Sequence, residues 1–437
     1  MGEGKQLGKS KTILLSILAF CVYYLIIRLV GTQPFSDFEY YHANALLILE
    51  GKSISSFHKY FQGPGYLYLL ALFFHLMMSH SIFLIQLLNA IMLTFLIRTY
   101  LKNSLAHSSP FLIIGYFILA FNLNNLSMVG VLCSEIPYIF FLLFGFLFFS
   151  MGLTKTLAGS EKEKLPILPF FISGLFWGIS QFIRPVTFPL LFLLSFFLVL
   201  GLRYFDIEGI KRDCRSIFYF SLQSIGMSLM AFFFSAILLY GVSGYGLTYM
   251  PLQKGLWNIY VGFNVESKGA WNPKDVELIL HLGHKHKWAA NEMNSELMPM
   301  VYTRAKKNWF MNMQILPEKI VSFLDPKSLP FWSVEQSKIT DKNKIYEIAG
   351  FFSYLNFGVL ILSLVVWTIC IARKELSKEE FLFFCLMNTV CSYMIIHGYL
   401  FEVQARYSYH LWIILFWYFP ICLEVLAAKI RKRQKAR

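Results

Sequence analysis

Residues 35–66 read FSDFEYYHANALLILEGKSISSFHKYFQGPGY, a polar and acidic stretch that follows directly on one hydrophobic run and leads through a Gly-Pro-Gly turn into another. The run behind that turn, 64–78, decides the fold. It is apolar enough to span a bilayer, but its length of about 15 residues also suits a re-entrant or interfacial helix. Outward from it, further apolar runs cover 12–30, 82–101, 110–124, 132–153, 167–183, 186–204, 216–241, 346–371, 380–397 and 409–427. Hydrophobic residues make up 57% of the chain and charged residues only 15%, against roughly 25% charged in soluble proteins. Soluble classes are excluded, and an integral membrane protein is expected.

Charge decides whether 64–78 crosses. If it does not, Lys5, Lys9 and Lys11, Arg98 and Lys102, Lys155, Lys162 and Lys164, Arg203, Lys211, Arg212 and Arg215, Arg373, Lys374 and Lys378, and the tail Arg431-Lys432-Arg433 all fall on the cytoplasmic side, as basic loops do. If it crosses, that rule fails repeatedly or another span must be lost. The expected fold is therefore an all-α polytopic membrane protein of about ten transmembrane helices, with both termini cytoplasmic. Amphipathic juxtamembrane helices are expected in the first outer loop, and a large, mostly helical extracytoplasmic loop further on. Three parts follow: an N-terminal membrane module, 1–241, with the first loop at 31–81; the long loop, 242–345; and C-terminal membrane helices with a basic tail, 346–437. The net charge of +14 is largely this topology signal plus attraction to anionic lipid, so nucleic acid is not an expected partner. The seven cysteines, at 21, 133, 214, 370, 385, 391 and 422, lie in spans or at their ends without a CxxC pair, which argues against a disulfide framework or a zinc site. The first apolar run reads as a retained anchor.

The informative polar residues gather in three outer segments: 31–81, 242–345 and 398–408. In the first, Ser36-Asp37-Phe38-Glu39 fits a capping box, with Ser36 as N-cap and Glu39 at the third helical position. Asp37 would complement the helix dipole there, or act as a base beside a lipid headgroup. Phe38, Tyr41, Ala45, Leu46 and Leu49 share one face, as on a helix lying along the leaflet. Glu135 opens a span and Arg184 lies in a tight connection between two. Each has a structural reading, as a dipole partner or an ion pair, beside a functional one, since ionisable groups at membrane depth are costly. Arg406, in ARYSY, either pairs with Glu402 one turn earlier or grips a phosphate with its planar fork. In the long loop, Trp257, Tyr260 and Trp271 read as interface markers before sugar platforms. His281, His284 and His286 match no metal spacing, so no metal is assigned.

The order of these segments carries a resemblance. An acidic residue just after the first span stands before YYHANALLILEGK; then come GPGYLYLLAL, SEIPYIFFLL, GISQFIRPVTFPLLFLL, WNIYVGFN in the long loop and ARYSYHLWIIL at the last span. The chain resembles bacterial polytopic glycosyltransferases of the C superfamily, similar to the dolichyl-phosphate-mannose protein mannosyltransferase and aminoarabinose transferase group. The similarity spans nearly the whole chain, through loose motifs in a specific order. It implies a bacterial inner-membrane enzyme that moves a sugar from a polyprenyl-phosphate donor to an extracytoplasmic glycan, lipid or protein by inverting displacement. It also implies Asp37 as the base and juxtamembrane helices near 39–50 and 64–78. Where such proteins often have a Lys-Pro-Pro-like sequence, this chain has Gln62-Gly63-Pro64, so Lys59, Arg184 or Arg406 would have to hold the donor phosphate. Glu39, Tyr41, His42, Gln62, Glu135, Trp257 and Tyr260 complete the expected substrate pocket. No cofactor is assigned, and a divalent cation is left open. A phosphate leaving group needs a cation more than a proton donor, so one carboxylate suffices, unlike the pair used in glycoside hydrolysis. The rival readings are a lipid-linked sugar flippase or transporter, which would place ionisable groups near mid-membrane, and an O-antigen-type polymerase.

Overall fold

A backbone in hydrocarbon must satisfy its own polar groups, and the apolar runs do so as helices. The structure, a computed structural model, describes residues 8–61, 63–103, 109–158, 167–207, 214–243, 252–325, 327, 329–335 and 337–435. Gln62 lies outside the described residues, as do Lys5, Lys162, Lys164, Lys211 and Arg212. In chain order the N-terminal part comprises α1 (Lys9–Val30), α2 (Asp37–Leu49), α3 (Ser56–Phe61), α4 (Pro64–Met77), α5 (Ile82–Asn103), α6 (Ser109–Phe121), α7 (Leu123–Met128), α8 (Glu135–Ala158), α9 (Ile167–Ile183), α10 (Thr187–Tyr204), β1 (Asp206–Ile207) and α11 (Cys214–Val242). Then come α12 (Leu252–Gly262), α13 (Pro273–Lys285), α14 (Ala290–Gln314), α15 (Leu316–Leu324), α16 (Phe331–Val334), α17 (Lys342–Ile371), β2 (Glu375–Leu376), α18 (Lys378–Leu400), a 3₁₀ turn (Ala405–Ser408) and α19 (Tyr409–Lys435). The two short strands pair in parallel, Asp206 with Glu375 and Ile207 with Leu376.

The protein is a multi-pass membrane protein, helical among the described residues apart from that two-residue strand pair and the connections. Among the described residues nine helices are long and apolar enough to cross a bilayer: α1, α5, α6 continued by α7, α8, α10, α11, α17, α18 and α19. Two apolar helices are shorter, α4 with 14 residues and α9 with 17. Helix α9 packs along α8 and α11 at backbone distance. A Cβ on Gly174 would stand 2.2 Å from the Ser228 carbonyl oxygen, so only glycine permits that approach. Gly65 of α4 is equally constrained, 2.2 Å from the Phe182 carbonyl at the end of α9.

Helices α12 to α15 form a loop unit, and α12 to α14 build a core of their own within it. Trp257, Val261, Ile279, Leu282, Met293, Leu297 and Val301 are buried there, joined by Tyr60 from α3. Trp257 is thus a core side chain, 4% exposed, where the sequence suggested an interface marker. Tyr260 stacks on it with ring centroids 6.1 Å apart and lies under the Arg304 guanidinium at 3.5 Å. Arg304 in turn forks onto Asp275 at 3.0 and 3.1 Å. Burial would push the Asp275 carboxyl up, but hydrogen bonds from Arg304, Asn264 and Asn272 outweigh it and hold the group below the usual carboxylate range.

Candidate functional site

Asp37 is delivered by a strained turn. The Phe38 amide donates to the Phe35 carbonyl at 3.1 Å, and Ser36 between them has φ +54° and ψ −132°, a region that non-glycine residues rarely occupy. Its side chain makes no cap hydrogen bond, which corrects the capping box expected there. A capping serine needs an extended backbone, which the positive φ at Ser36 denies it, and Glu39 is left exposed. The turn is held from both sides. Thr32 Oγ1 donates to the Ser333 carbonyl at 2.5 Å, and Gln86 of α5 donates to the Thr32 carbonyl at 3.0 Å. Phe35 and Phe38 pack against Trp332 of α16, centroids 5.9 and 5.4 Å away.

Arg406 reaches Asp37 from the far end of the chain. Its Nη2 donates to Asp37 Oδ2 at 3.0 Å across 369 residues of sequence. The expected pair with Glu402 does not form. The extended backbone at Gln404 breaks the helical spacing, and Glu402 Oε1 instead accepts from Gln404 Nε2 at 2.5 Å. Gln404 Oε1 accepts from Arg406 Nε at 2.9 Å. The guanidinium lies 4.6 Å from the Trp332 ring centroid and 5.4 Å from that of Tyr407.

A second arginine meets the same tyrosine. Arg184 lies 5.7 Å from the Tyr407 centroid, and its Nη1 pairs with Glu135 Oε1 at 2.5 Å. Glu135 and Arg184 thus form a buried ion pair, the structural reading of both, and Arg406 acts on each of them electrostatically. Gln181 shapes the connection, its Oε1 accepting from the Thr187 and Phe188 amides at 3.0 Å each and so closing the start of α10. Tyr41, one turn after Asp37 on α2, lies among all four charges. Burial, with Asp37 and Glu135 adding to it, pushes its phenol well above the ordinary range, against the pull of Arg184 and Arg406.

The remaining expected residues are spread more widely. His42 bonds through Nε2 to the His80 carbonyl at 3.1 Å and packs on Phe74. Lys59 is exposed on α3, the helix whose Tyr60 is built into the loop unit. Trp257 and Tyr260 belong to the loop unit's interior. His286 pairs with Glu296 at 2.7 Å. Among the described residues no three His, Cys, Asp or Glu side chains gather to hold a metal ion. Among the described residues the Arg406 guanidinium pairs with Asp37. Sequence reading missed Trp332, Tyr407 and Gln404. The last was signalled only by its place between Glu402 and Arg406, and the two rings by nothing in the spacing.

Comparison with known proteins places the fold. No protein-family model matches the chain, and no curated protein matches it by sequence. Among solved structures it is similar to the archaeal oligosaccharyltransferase AglB from Archaeoglobus fulgidus in complex with an inhibitory peptide and a dolichol-phosphate, with a TM-score of 0.54 and 14% identity over 98% of this chain and 52% of that one. It is similar also to the Archaeoglobus fulgidus oligosaccharyltransferase tethered to an acceptor peptide containing the NVT sequon, with a TM-score of 0.52 and 12% identity over 98% of this chain and 51% of that one. The chain spans about half the length of these proteins. At such identity the likeness is one of fold alone.

Proposed function

We propose that the protein is a glycosyltransferase that moves a sugar from a polyprenyl-phosphate donor to an acceptor on the extracytoplasmic side of a bacterial inner membrane, by inverting displacement. One observation carries this reading: two guanidiniums converge on Tyr407, and one of them is shared with a half-exposed carboxylate, Asp37. The Arg184 and Arg406 pair suits a donor phosphate, whose oxygens gain charge as the glycosidic bond breaks. Asp37 suits the proton of an attacking acceptor hydroxyl, and general-base assistance of this kind contributes typically about 10²- to 10⁴-fold in rate.

The shared arginine gives the two events an order. A phosphate that draws Arg406 loosens its hold on Asp37 Oδ2, and a carboxylate relieved of a guanidinium is the stronger base. The donor thereby readies the base for the acceptor. The dolichol-phosphate bound by the structurally similar archaeal protein supports a lipid-phosphate donor here.

The test is release of polyprenyl phosphate from a panel of polyprenyl-phosphate sugars by purified protein in liposomes, with envelope extract as acceptor. Wild type is compared with Asp37→Asn. The expected outcome is a loss of transfer by about 10² or more while donor binding persists. Transfer indifferent to Asp37 overturns its role as base, and donor movement across the bilayer without transfer replaces the enzyme by a flippase.

A further inference from the structure

Arg406 is aimed by a chain of side chains outside the charged cluster itself, and we propose that Gln404 and Glu402 are positioning residues for the donor phosphate. This deepens the glycosyl-transfer reading and rests on it. Glu402 is 4% exposed, and a guanidinium offers only donors. The Gln404 atom at the Arg406 Nε proton is therefore Oε1, at 2.9 Å, which turns the Gln404 amide nitrogen toward Glu402 Oε1 at 2.5 Å. With Nε taken and the Trp332 and Tyr407 rings near at 4.6 and 5.4 Å, the plane of the guanidinium is held, and Nη2 is left to be shared between Asp37, now at 3.0 Å, and a phosphate.

The backbone of this strap is fastened as firmly. His397 Nε2 donates to the Glu402 carbonyl at 3.1 Å, the Phe401 amide donates to the His397 carbonyl at 2.9 Å and the Val403 amide to the Gly269 carbonyl at 2.8 Å. The His397 ring is stacked between Phe323, 4.5 Å away, and Tyr393, 5.6 Å away. The neutrality of Gln404 matters to this role. A carboxylate in its place would hold Nε more tightly but would cancel positive charge that the phosphate requires.

The experiment compares full-length wild type, Gln404→Leu, Gln404→Glu, Glu402→Gln and Asp37→Asn in liposomes. Initial rates are measured against donor concentration, the affinity for polyprenyl phosphate alone by competition, and the folded fraction by thermal unfolding. Gln404→Leu is expected to weaken polyprenyl-phosphate affinity and raise the donor KM by about tenfold to a hundredfold, as for a hydrogen bond to a charged group. Gln404→Glu keeps an acceptor for Nε but loses the donor to Glu402 Oε1 and sets two carboxylates together, so its polyprenyl-phosphate affinity stays weakened and its KM stays raised. Glu402→Gln, which frees the amide orientation, falls between wild type and Gln404→Leu. Unchanged KM and affinity in Gln404→Leu overturn the proposal, as does a loss in all three variants that only follows the folded fraction. If Asp37→Asn still transfers sugar, the base assignment fails, and polyprenyl-phosphate affinity still decides the role of Gln404.

Discussion

Glu135 and Arg184 are two charges placed where charge is expensive, their side chains 5% and 18% exposed. A pair of this kind gains little over an apolar pair of the same size, but its breakage leaves a naked charge in the interior. Arg184→Met alone should therefore destabilise the protein by about 3–5 kcal/mol. Glu135→Gln combined with Arg184→Met should recover most of that loss in thermal unfolding while leaving donor affinity impaired. Recovery of both would reduce the pair to a structural role. Singles that add without coupling would show that the two residues act apart. The sequence already held both readings of each residue. It could not show that they are partners, because α8 and the α9–α10 connection meet only after the helices pack. Asp37 and Arg406 pose the same problem more severely, with nearly the whole chain between them. The turn at Ser36 was misread for a related reason: a Ser-x-x-Glu pattern encodes a capping box only if the serine backbone is extended, and here it is left-handed.

Most helix bounds were legible to within a few residues, because hydrocarbon forces any long apolar run to close its own hydrogen bonds, while α8 and α19 run on past their apolar runs to Ala158 and Lys435. The inside of the loop unit was not, since its polar and aromatic residues serve at once as core, latch and surface. Lys319 of α15 shows why. It is fully buried, and its Nζ donates to the Gly262 carbonyl at 2.8 Å, Asn312 Oδ1 at 3.1 Å and the Tyr399 carbonyl at 3.4 Å. It thus ties α12 and α14 to the end of α18, just before the strap that carries Arg406. Burial lowers its amine from 10.5 to about 8. The unfolded chain therefore holds a proton between those two values that the folded protein has released, and stability rises with pH across that window. Below about pH 8 the cost of burying the charge is felt in full. Thermal unfolding in detergent should shift upward between pH 8 and pH 10 by an increment that Lys319→Met removes. An identical slope in the variant would assign the pH response to another group.

The topology of the whole molecule follows from two contacts and a count. Asp37 touches Arg406, and Tyr60 shares a core with Trp257, so the first loop, the loop unit and the turn before α19 meet on one face. An even number of crossings must then separate Tyr60 from Trp257. Five long helices lie between them among the described residues: α5, α6 with α7, α8, α10 and α11. One of the two short helices must cross, and the other must not. At about 1.5 Å per residue, α9 reaches roughly 26 Å and α4 roughly 21 Å, against a hydrocarbon core of about 30 Å. Helix α9 also runs along two full-length neighbours, α8 and α11, which supports α9 as the crossing helix. The β1–β2 pair repeats the count, for α11 and α17 separate its strands, and those strands then meet on the opposite face. The positive-inside reading excluded residues 64–78 from crossing on charge alone, and packing and length favour the same helix, α4, as the one that stays on one face. Single cysteines at Lys52, Lys287 and Arg373, in a background lacking Cys21 and Cys214, test it with a membrane-impermeant maleimide on intact cells. Lys52→Cys and Lys287→Cys should label from outside, and Arg373→Cys only after the membrane is opened. Labelling of positions 52 and 287 from opposite sides would mean that α4 crosses as well, or that α9 does not. Either result would part Asp37 from Arg406 and remove the physical basis of the proposed site.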